Sequence, residues 1–355
     1  GNRVWLDTNN NGQIDGTEVG VDGVSVSLFL DADGNGVPDS ATPLATTTTA
    51  DGGYYRFDLL PANTYVVRIN PLNFAVGGPL AGYSSSDPTS ATPNDNTDSD
   101  DNGITNPTPI INGILSGPVT LGPTADEPLN ESDLSPTGQF APDGQANMTV
   151  DFGFYLLSIG NQLWLDTNNN GVLDGGESGA ALVGVRVELY DGATLVAVTA
   201  TDATGAYLFN GQTDANGVPN GLGLAPSTNY TVRIPASEFA PGEPLAPFHS
   251  STGATSGIDS QDNGVDVPDP ATTGISSAVF SLEPGNATGG ASVDNTTATT
   301  HNPTLDFGFY LPFSLGNRVW LDTNNNGQID GTEVGVDGVS VSLFLDADGN
   351  GVPDS

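Results

Sequence analysis

Residues 316–355, GNRVWLDTNNNGQIDGTEVGVDGVSVSLFLDADGNGVPDS, repeat residues 1–40 letter for letter, at an offset of 315 residues. Inside that period lies a looser half-period. GNRVWLDTNNNGQID answers GNQLWLDTNNNGVLD, YYRFDLLPANTYVVRI answers the stretch from YLFNGQ to NYTVRI, and TVDFGFYL answers TLDFGFYL. A chain written this way folds as a series of like units, because each copy carries the same local instructions. The expected units are A at 1–157, a divergent B at 158–313, and the start of a further A at 314–355. The third copy stops at Ser355, the equivalent of Ser40, with a strand or two and no sheet to bury them. The preferred reading is a window cut from a longer tandem array. The alternative is a tail that completes a unit of another copy by strand exchange.

Within each unit the pattern is one of strands. NRVWL leads into an acidic stretch, and VGVDGVSVSLFL leaves it with Val24, Val26, Leu28 and Leu30 on one face and Ser25 and Ser27 on the other. Further strands are expected at PLATTTTA, GGYYRFDL, TYVVRI, GILSGPVTL and NMTVDFGFYL. The implied fold class is all-β, with tandem immunoglobulin-like Greek-key sandwiches of two antiparallel sheets. A 36% apolar content suffices for a core in each unit, and the 47 Gly and 26 Pro fit the turns between short strands. Trp5, Trp164 and Trp320 read as buried aromatics of the first strand, and residues 71–147 and 235–302 as loops and insertions around one or two strands.

The charge narrows the partners. Forty-three acids face six arginines and no lysine, for a formal charge of −37. Such a field repels nucleic acid and anionic membrane surfaces, and it strains the folded state unless cations neutralise it locally. No apolar run reaches the length of a membrane span, so no membrane insertion is expected in this window. No signal peptide is visible, and a first residue other than Met reads as a processed or excerpted chain. With no cysteine, an extracellular chain would need a staple other than disulfides.

The acidic stretch supplies one. Its spacing, D-x-[DN]-x-[DN]-G-x5-E, is that of a calcium loop of EF-hand type, in which alternating side chains bring oxygens to one centre. In the first copy these are Asp7, Asn9, Asn11, the Gln13 carbonyl, Asp15 and Glu18. The second has Asp166, Asn168, Asn170, the Val172 carbonyl, Asp174 and Glu177; the third has Asp322, Asn324, Asn326, the Gln328 carbonyl, Asp330 and Glu333. A solvated Asn/Asp/Gly turn would use many of the same letters, but it has no need of the terminal Glu. Strands flank the loop where an EF-hand has helices, so the expected Ca2+ is a staple in a β-scaffold and not a switch. Two weaker clusters lie further along the chain. DADGNGVPD offers Asp31, Asp33, Asn35, the Val37 carbonyl and Asp39, repeated as Asp346, Asp348, Asn350, the Val352 carbonyl and Asp354. It lacks an acid at the twelfth position and unit B has only YDGATL there, so a metal site and a plain hairpin turn stay open. DSDDNG and DSQDNG keep Asp98, Asp101, Asp259 and Asp262 in matching places and favour a second site in both units.

The stretches VWLDTNNNGQIDGTEVGVDGVSVSL, ADGGYYRFDLLPANTYVV and DFGF resemble the B-type repeats of serine-aspartate repeat surface proteins, a calcium-binding branch of the collagen-adhesin B-type sandwiches. The resemblance implies rod-like stalks on the outside of Gram-positive cells. The chain departs from the family in its long units and in having no lysine. The Lys to Asn isopeptide bond of some relatives is therefore impossible here.

The function expected is structural: a non-enzymatic repeat segment of a secreted or cell-surface fibre, stiffened by calcium, whose partners are neighbouring repeats and further chains of a filament. The joints YLLSIGN and YLPFSLGN are short and partly apolar, so they should pack. An adhesin whose loops bind a host protein or glycan is the alternative, and repetition would give it avidity. An enzyme is disfavoured, because His249 and His301 answer Ser84 and Ala146 and belong to no constellation shared by the units. Sequons at Asn130, Asn147, Asn229, Asn286 and Asn295 offer acceptors for glycosylation.

Overall fold

The computed structural model describes residues 1–86, 92–123, 127–253, 260–267, 269–282 and 300–354. It divides into two units, Gly1–Leu311 and Pro312–Ser355.

The first unit holds two β-sandwiches. In the first, the strands are β1 (Val4–Leu6), β2 (Ser25–Leu30), β3 (Ala45–Thr48), β4 (Asn63–Ile69), β5 (Ser84–Ser85), β6 (Gly103–Ile104), β7 (Ile114–Ser116), β8 (Val119–Leu121) and β9 (Phe152–Tyr155). They form a sheet of order β1-β9-β5 and a six-stranded sheet of order β3-β2-β4-β7-β6, with β8 on β4. The second sandwich has β10 (Ser158–Leu165), β11 (Arg186–Asp191), β12 (Thr194–Ala200), β13 (Ala206–Phe209), β14 (Thr228–Ile234), β15 (His249–Ser250), β16 (Ile275–Ser276), β17 (Phe280–Leu282), β18 (His301–Asn302) and β19 (Phe307–Tyr310). Its sheets run β13-β10-β19-β15, with β18 on β10, and β12-β11-β14-β16, with β17 on β14. Alternation places the inward residues: Val26 and Leu28 of β2, with Tyr65, Val67 and Ile69 of β4, meet Val4, Phe152 and Phe154 of the facing sheet in one core. Val187, Leu189, Tyr230, Val232 and Ile234 meet Leu163, Phe307 and Phe309 in the other.

The strands pair antiparallel except at the seam between first and last strands and where Ser158 and Ile159 of β10 run parallel to β18. Val4–Leu6 runs parallel to Phe152–Phe154, and Leu163–Leu165 parallel to Phe307–Phe309. This seam explains two sequence landmarks at once. Trp5 sits opposite Gly153, and Trp164 opposite Gly308. Val4 faces the core, so Trp5 faces away from it, and both tryptophans are nonetheless fully buried. A Cβ at Gly153 would lie 2.7 Å from Cζ2 of Trp5, and one at Gly308 2.8 Å from Cζ2 of Trp164. The glycine of DFGF is thus the bed on which the tryptophan of VWLD or LWLD lies.

The expected strand at GGYYRFDL forms only in the second sandwich, as β13, which pairs with Ile159–Gln162 of β10. In the first, Tyr54 and Tyr55 are held by isolated contacts, Tyr54 with Arg3 and Ala50, and the Tyr55 N–H donating to Asn2 O at 2.8 Å. The facing strands differ in length: β10 spans eight residues and β1 three.

The unit Pro312–Ser355 repeats the opening of the first sandwich in sequence but only partly in structure. Trp320 pairs with Gly335 as Trp5 pairs with Gly20. Residues 340–345, identical to the 25–30 of β2, form no strand, and Val341, Leu343, Phe344 and Leu345 are exposed.

Overpacking at the seam should be costly. Gly153→Ala is expected to destabilise the first sandwich and Gly308→Ala the second, each by about 1–3 kcal/mol or more, read by calorimetry as a fall of one transition and not the other.

Candidate metal-binding loops

The loop after each Trp strand is launched by the seam: the Asp7 N–H donates to Phe154 O, and the Asp166 N–H to Phe309 O, both at 2.8 Å. From there the chain folds around its own first carboxylate. Asp7 is buried; its Oδ1 accepts from the Asn11 N–H (3.1 Å) and its Oδ2 from the Gly12 N–H (2.8 Å). Asn9 Oδ1 accepts from the Asn11 N–H, and Asn11 Oδ1 from the Gln13 N–H. Glu18 closes the loop, Oε1 taking the Thr8 N–H at 2.6 Å and Oε2 the Asp15 N–H at 3.2 Å. Asn10 is left-handed at φ 53° and Gly12 at 73°, conformations that Asn tolerates and Gly adopts freely. The same bonds recur around Asp166 and Glu177, with Asn168, Asn170 and the Val172 N–H in their places. They recur a third time around Asp322, with Asn324, Asn326, the Gln328 N–H and Glu333.

In all three copies the Asn amides turn to the ninth position: Asn9 and Asn11 Nδ2 donate to Asp15 Oδ2 at 3.3 and 2.8 Å, Asn168 and Asn170 to Asp174 at 3.0 and 2.9 Å, Asn324 and Asn326 to Asp330 at 2.7 Å each. The backbone N–H groups of the third loop, that of Gly327 foremost, hold the Asp322 carboxyl below the usual carboxylate range. The Asn324 and Asn326 amides do the same to Asp330, and the Asp330 and Thr323 N–H groups to Glu333. A carboxylate kept ionised, beside side-chain and carbonyl oxygens, is the donor chemistry of a hard cation.

The second acidic segment lies directly on the first loop. Gln13 bridges Asp100, with the Ile14 N–H donating to Ser99 O and the Asp101 N–H to Gly12 O; Val172 bridges Gln261 in the same way. The result buries carboxylates whose partners spacing does not reveal. Asp101 is fully buried, its Oδ1 accepting from the N–H groups of Gly103 and Gly153 while Oδ2 has no partner. Asp262 repeats this with Gly264 and Gly308, again with Oδ2 unpartnered. Burial pushes the Asp101 carboxyl far above its ordinary range, with the Asp7 charge adding to the effect. It raises Asp262 from 3.8 to about 7, with Asp266 and Asp166 adding to it. Asp98 does something else: it caps the turn at 132–133, Oδ2 accepting from the Ser132 and Asp133 N–H groups. Asp259 lies outside the described residues. Asp151 and Asp306, the acids of DFGF, are also buried, Asp151 accepting from the Arg3 and Ser99 N–H groups and Asp306 from those of Gln162 and Ser260. Their recurrence before both FGF triplets was the available clue to this role.

The loop left open between turn and site gathers three acids. Carboxylate oxygens of Asp31, Asp33 and Asp39 lie within 4.8 Å of one another, the one such trio of acids among the described residues, and could hold a metal ion. Asp31 is buried and takes the Asn35 and Gly36 N–H groups; the Asn35 N–H also reaches Asp33, Asn35 Oδ1 accepts from the Val37 N–H, and Asp39 caps Ala32. Asp346, Asp348, Asn350, Val352 and Asp354 repeat the bonds in the last unit. In the second sandwich β11 turns tightly into β12 at Gly192, so YDGATL makes a hairpin there.

Arginine does little to offset the acids: among the described residues it makes ion pairs from Arg3 to Asp133, Arg56 to Asp58 and Arg186 to Glu188, while Arg68 lies over the Phe29 ring. The buried acids therefore carry a pH dependence of definite sign. Asp262 keeps its proton to about pH 7 when folded and loses it near 3.8 when unfolded, so the folded state gains from protonation at low pH and loses that gain as pH rises through about 7. In chelator, acidification from about pH 7.5 to 5 should stabilise the second sandwich by about 2–3 kcal/mol at most. Asp262→Asn should flatten that dependence in calorimetric scans.

Comparison with known proteins agrees with this frame. A family model for the SdrD B-like domain matches residues 1–112, 157–233 and 313–354. Serine-aspartate repeat-containing protein F of Staphylococcus epidermidis is 31% identical over 356 residues, covering 99% of this chain and 16% of that protein. Serine-aspartate repeat-containing protein D of Staphylococcus aureus strain Newman is 32% identical over 347 residues, covering 97% and 19%. The chain thus spans less than a fifth of these relatives. Among solved structures, the shaft pilin SpaA of Lactobacillus rhamnosus GG aligns over 88% of this chain and 97% of its own at 13% identity and a TM-score of 0.31. A minor pilin of Streptococcus agalactiae aligns over 89% and 99% at 10% identity and a TM-score of 0.19. Paired sandwiches with an acidic loop after each Trp strand, and the match of the family model over most of the length, establish that the chain belongs to the SdrD B-like domain family.

Proposed function

We propose that the chain is a non-enzymatic structural segment of an extracellular or cell-surface stalk, organised as repeats 1–157, 158–313 and 314–355, and that its loops bind Ca2+ and stiffen it. The observation that carries the stalk reading is the joint. β9 ends at Tyr155 and β10 begins at Ser158, and Leu157 between them is buried in the second core. The sandwiches also bond across the joint, the Gly82 N–H to Gly221 O at 3.1 Å and Thr300 Oγ1 to Thr8 O at 3.2 Å. A linker that short and that buried transmits force and does not swing. No helix of the described residues is long and apolar enough to cross a membrane.

Calcium is supported by the donor set. Asp7, Asp15, Glu18 and their counterparts stand with amide and backbone oxygens on closed loops, and the buried Asp101 and Asp262 each bring a carboxylate with a spare oxygen against them. A divalent cation would relieve their mutual repulsion, which costs most in the dry interior. Oxygen-rich, flexible loops suit the larger Ca2+ better than Mg2+. Sugar decoration has narrower scope than the sequons suggest: Asn147 is buried, with Nδ2 donating to Pro93 O at 2.6 Å, whereas Asn130 and Asn229 are exposed. Asn286 and Asn295 lie outside the described residues.

Chelation should lower the melting temperature of both sandwiches, with Ca2+ restoring it and Mg2+ restoring it poorly. A site at ten times its dissociation constant adds roughly 1.4 kcal/mol. Glu18→Gln should weaken the first sandwich's response and Glu177→Gln the second's. Asp33→Asn or Asp39→Asn should remove one site from the first sandwich alone, counted by calorimetric titration. Unchanged melting with and without Ca2+ would reduce these loops to ordinary turns.

A further inference from the structure

The two sandwiches differ in the stretch that precedes the strand at Tyr65 or Tyr230. Seven residues, 58–64, lie between Phe57 and Tyr65 in the first; twenty, 210–229, lie between Phe209 and Tyr230 in the second. The added residues fold on themselves. The Gln212 N–H donates to Leu222 O at 2.7 Å and the Asn220 N–H to Gln212 O at 3.1 Å, while Asp214 closes the tip, its Oδ1 accepting from the Asn216 and Val218 N–H groups. Thr213 ties this hairpin to β12, its N–H donating to Val196 O at 3.0 Å and its Oγ1 accepting from the Val198 N–H at 2.6 Å, and Arg186 donates to Ala215 O. A projection bonded at so many places is preorganised for whatever it meets.

Its returning arm lies on the first sandwich. The Gly82 N–H donates to Gly221 O at 3.1 Å. A Cβ at Gly221 would stand 3.0 Å from Val76 N and 3.2 Å from Phe74 O, and one at Gly223 2.1 Å from Gly82 O. The contact is thus backbone on backbone, with glycine where no side chain fits. The receiving loop is also fixed: Phe74 and Leu80 are buried in the first core, and the Leu80 N–H donates to Asn73 O at 2.9 Å. Each part belongs to one type of sandwich. The first has no hairpin, and the corresponding loop of the second, 239–248, puts Pro247 in the place of Gly82 and Pro241 in that of Val76. Proline has no N–H, so that loop could not donate the bond that Gly82 donates.

We propose that residues 210–223 are a buttress whose partner is the loop 74–82 of the sandwich before it, and that this pairing sets the angle of the joint and admits one order of sandwiches, the first type before the second. The opposite order offers neither part. Three attachments then hold the joint: the link at Leu156 and Leu157, the buttress, and Thr300 Oγ1 on Thr8 O. The inference deepens the reading of the chain as a stiff stalk segment and rests on that reading for its purpose.

The chain has no cysteine, so paired spin labels can report the joint directly. Thr48→Cys on β3 and Ala200→Cys on β12, both exposed, place one label on each sandwich of the full chain. Pulsed electron–electron double resonance should give a single narrow distance distribution. Gly223→Ala is the discriminating variant, because the three atoms nearest its Cβ, beyond its chain neighbours, all belong to Gly82. It should widen the distribution about twofold or more, as expected of sandwiches released to move about a short link. A pair within the second sandwich, Ala200→Cys with Val279→Cys, should stay narrow in the same variant. A narrow distribution between the sandwiches that survives Gly223→Ala overturns the buttress alone and leaves the joint to its buried link. A distribution already broad without that substitution overturns the buttress and the stiff joint together. Broadening within the second sandwich would make the hairpin part of that sandwich's own fold and overturn the buttress as well.

Discussion

Everything in each sandwich hangs from the parallel seam between its first and last strands. The tryptophan of the first strand lies on the glycine of the last, at a distance that admits no Cβ. That contact buries two of the largest side chains in the chain outside the main cores, and it fixes where the acidic loop begins, because Asp7 and Asp166 are hydrogen-bonded to the carbonyl one residue beyond that glycine. Fold and candidate site thus share one support. A chain with no disulfide and no lysine has few other ways to hold its first strand in place.

The second constraint is charge. A net −37 is not balanced by arginine, whose few ion pairs are partly exposed and contribute little each. The carboxylates are instead satisfied by backbone N–H groups, a solution that fixes loop shape but leaves the net charge where it was. Buried acids such as Asp101 and Asp262 answer by shifting toward the protonated form. Protonation and cation binding are two resolutions of the same repulsion, so a cation bound there would be coupled to the fold.

The link between the two sandwiches is part of a core. Leu157 belongs to the core of the second sandwich although it lies in the link, so bending the link would mean opening that core. The acidic loops sit at the start of each sandwich, next to that link in the case of Asp166, and a metal there would tie the entering strand to the segment around Asp262. The two devices act on the same few residues.

The forty repeated residues show what sequence by itself determines. The Asp7 and Asp322 loops have the same letters and the same internal hydrogen bonds, one within a finished sandwich and one without. Loop shape is local, set by Asx turns, left-handed Asn and Gly, and bonds spanning ten residues or fewer, so it was legible from spacing. The alternation of Val24 to Leu30 likewise foretold β2. But residues 340–345 have the same alternation and no strand, since a strand exists only when a neighbour supplies its hydrogen bonds and a facing sheet covers its apolar side. Nor could spacing show that residues 98–101 lie against the loop at 7–18, that Asp98 and Asp101 part company, or that Asp151 joins them, because those contacts close across some thirty to one hundred and fifty residues of chain. Local geometry was written in the letters; pairing, burial and the company each carboxylate keeps were decided by the tertiary structure, where distant segments meet and water is excluded.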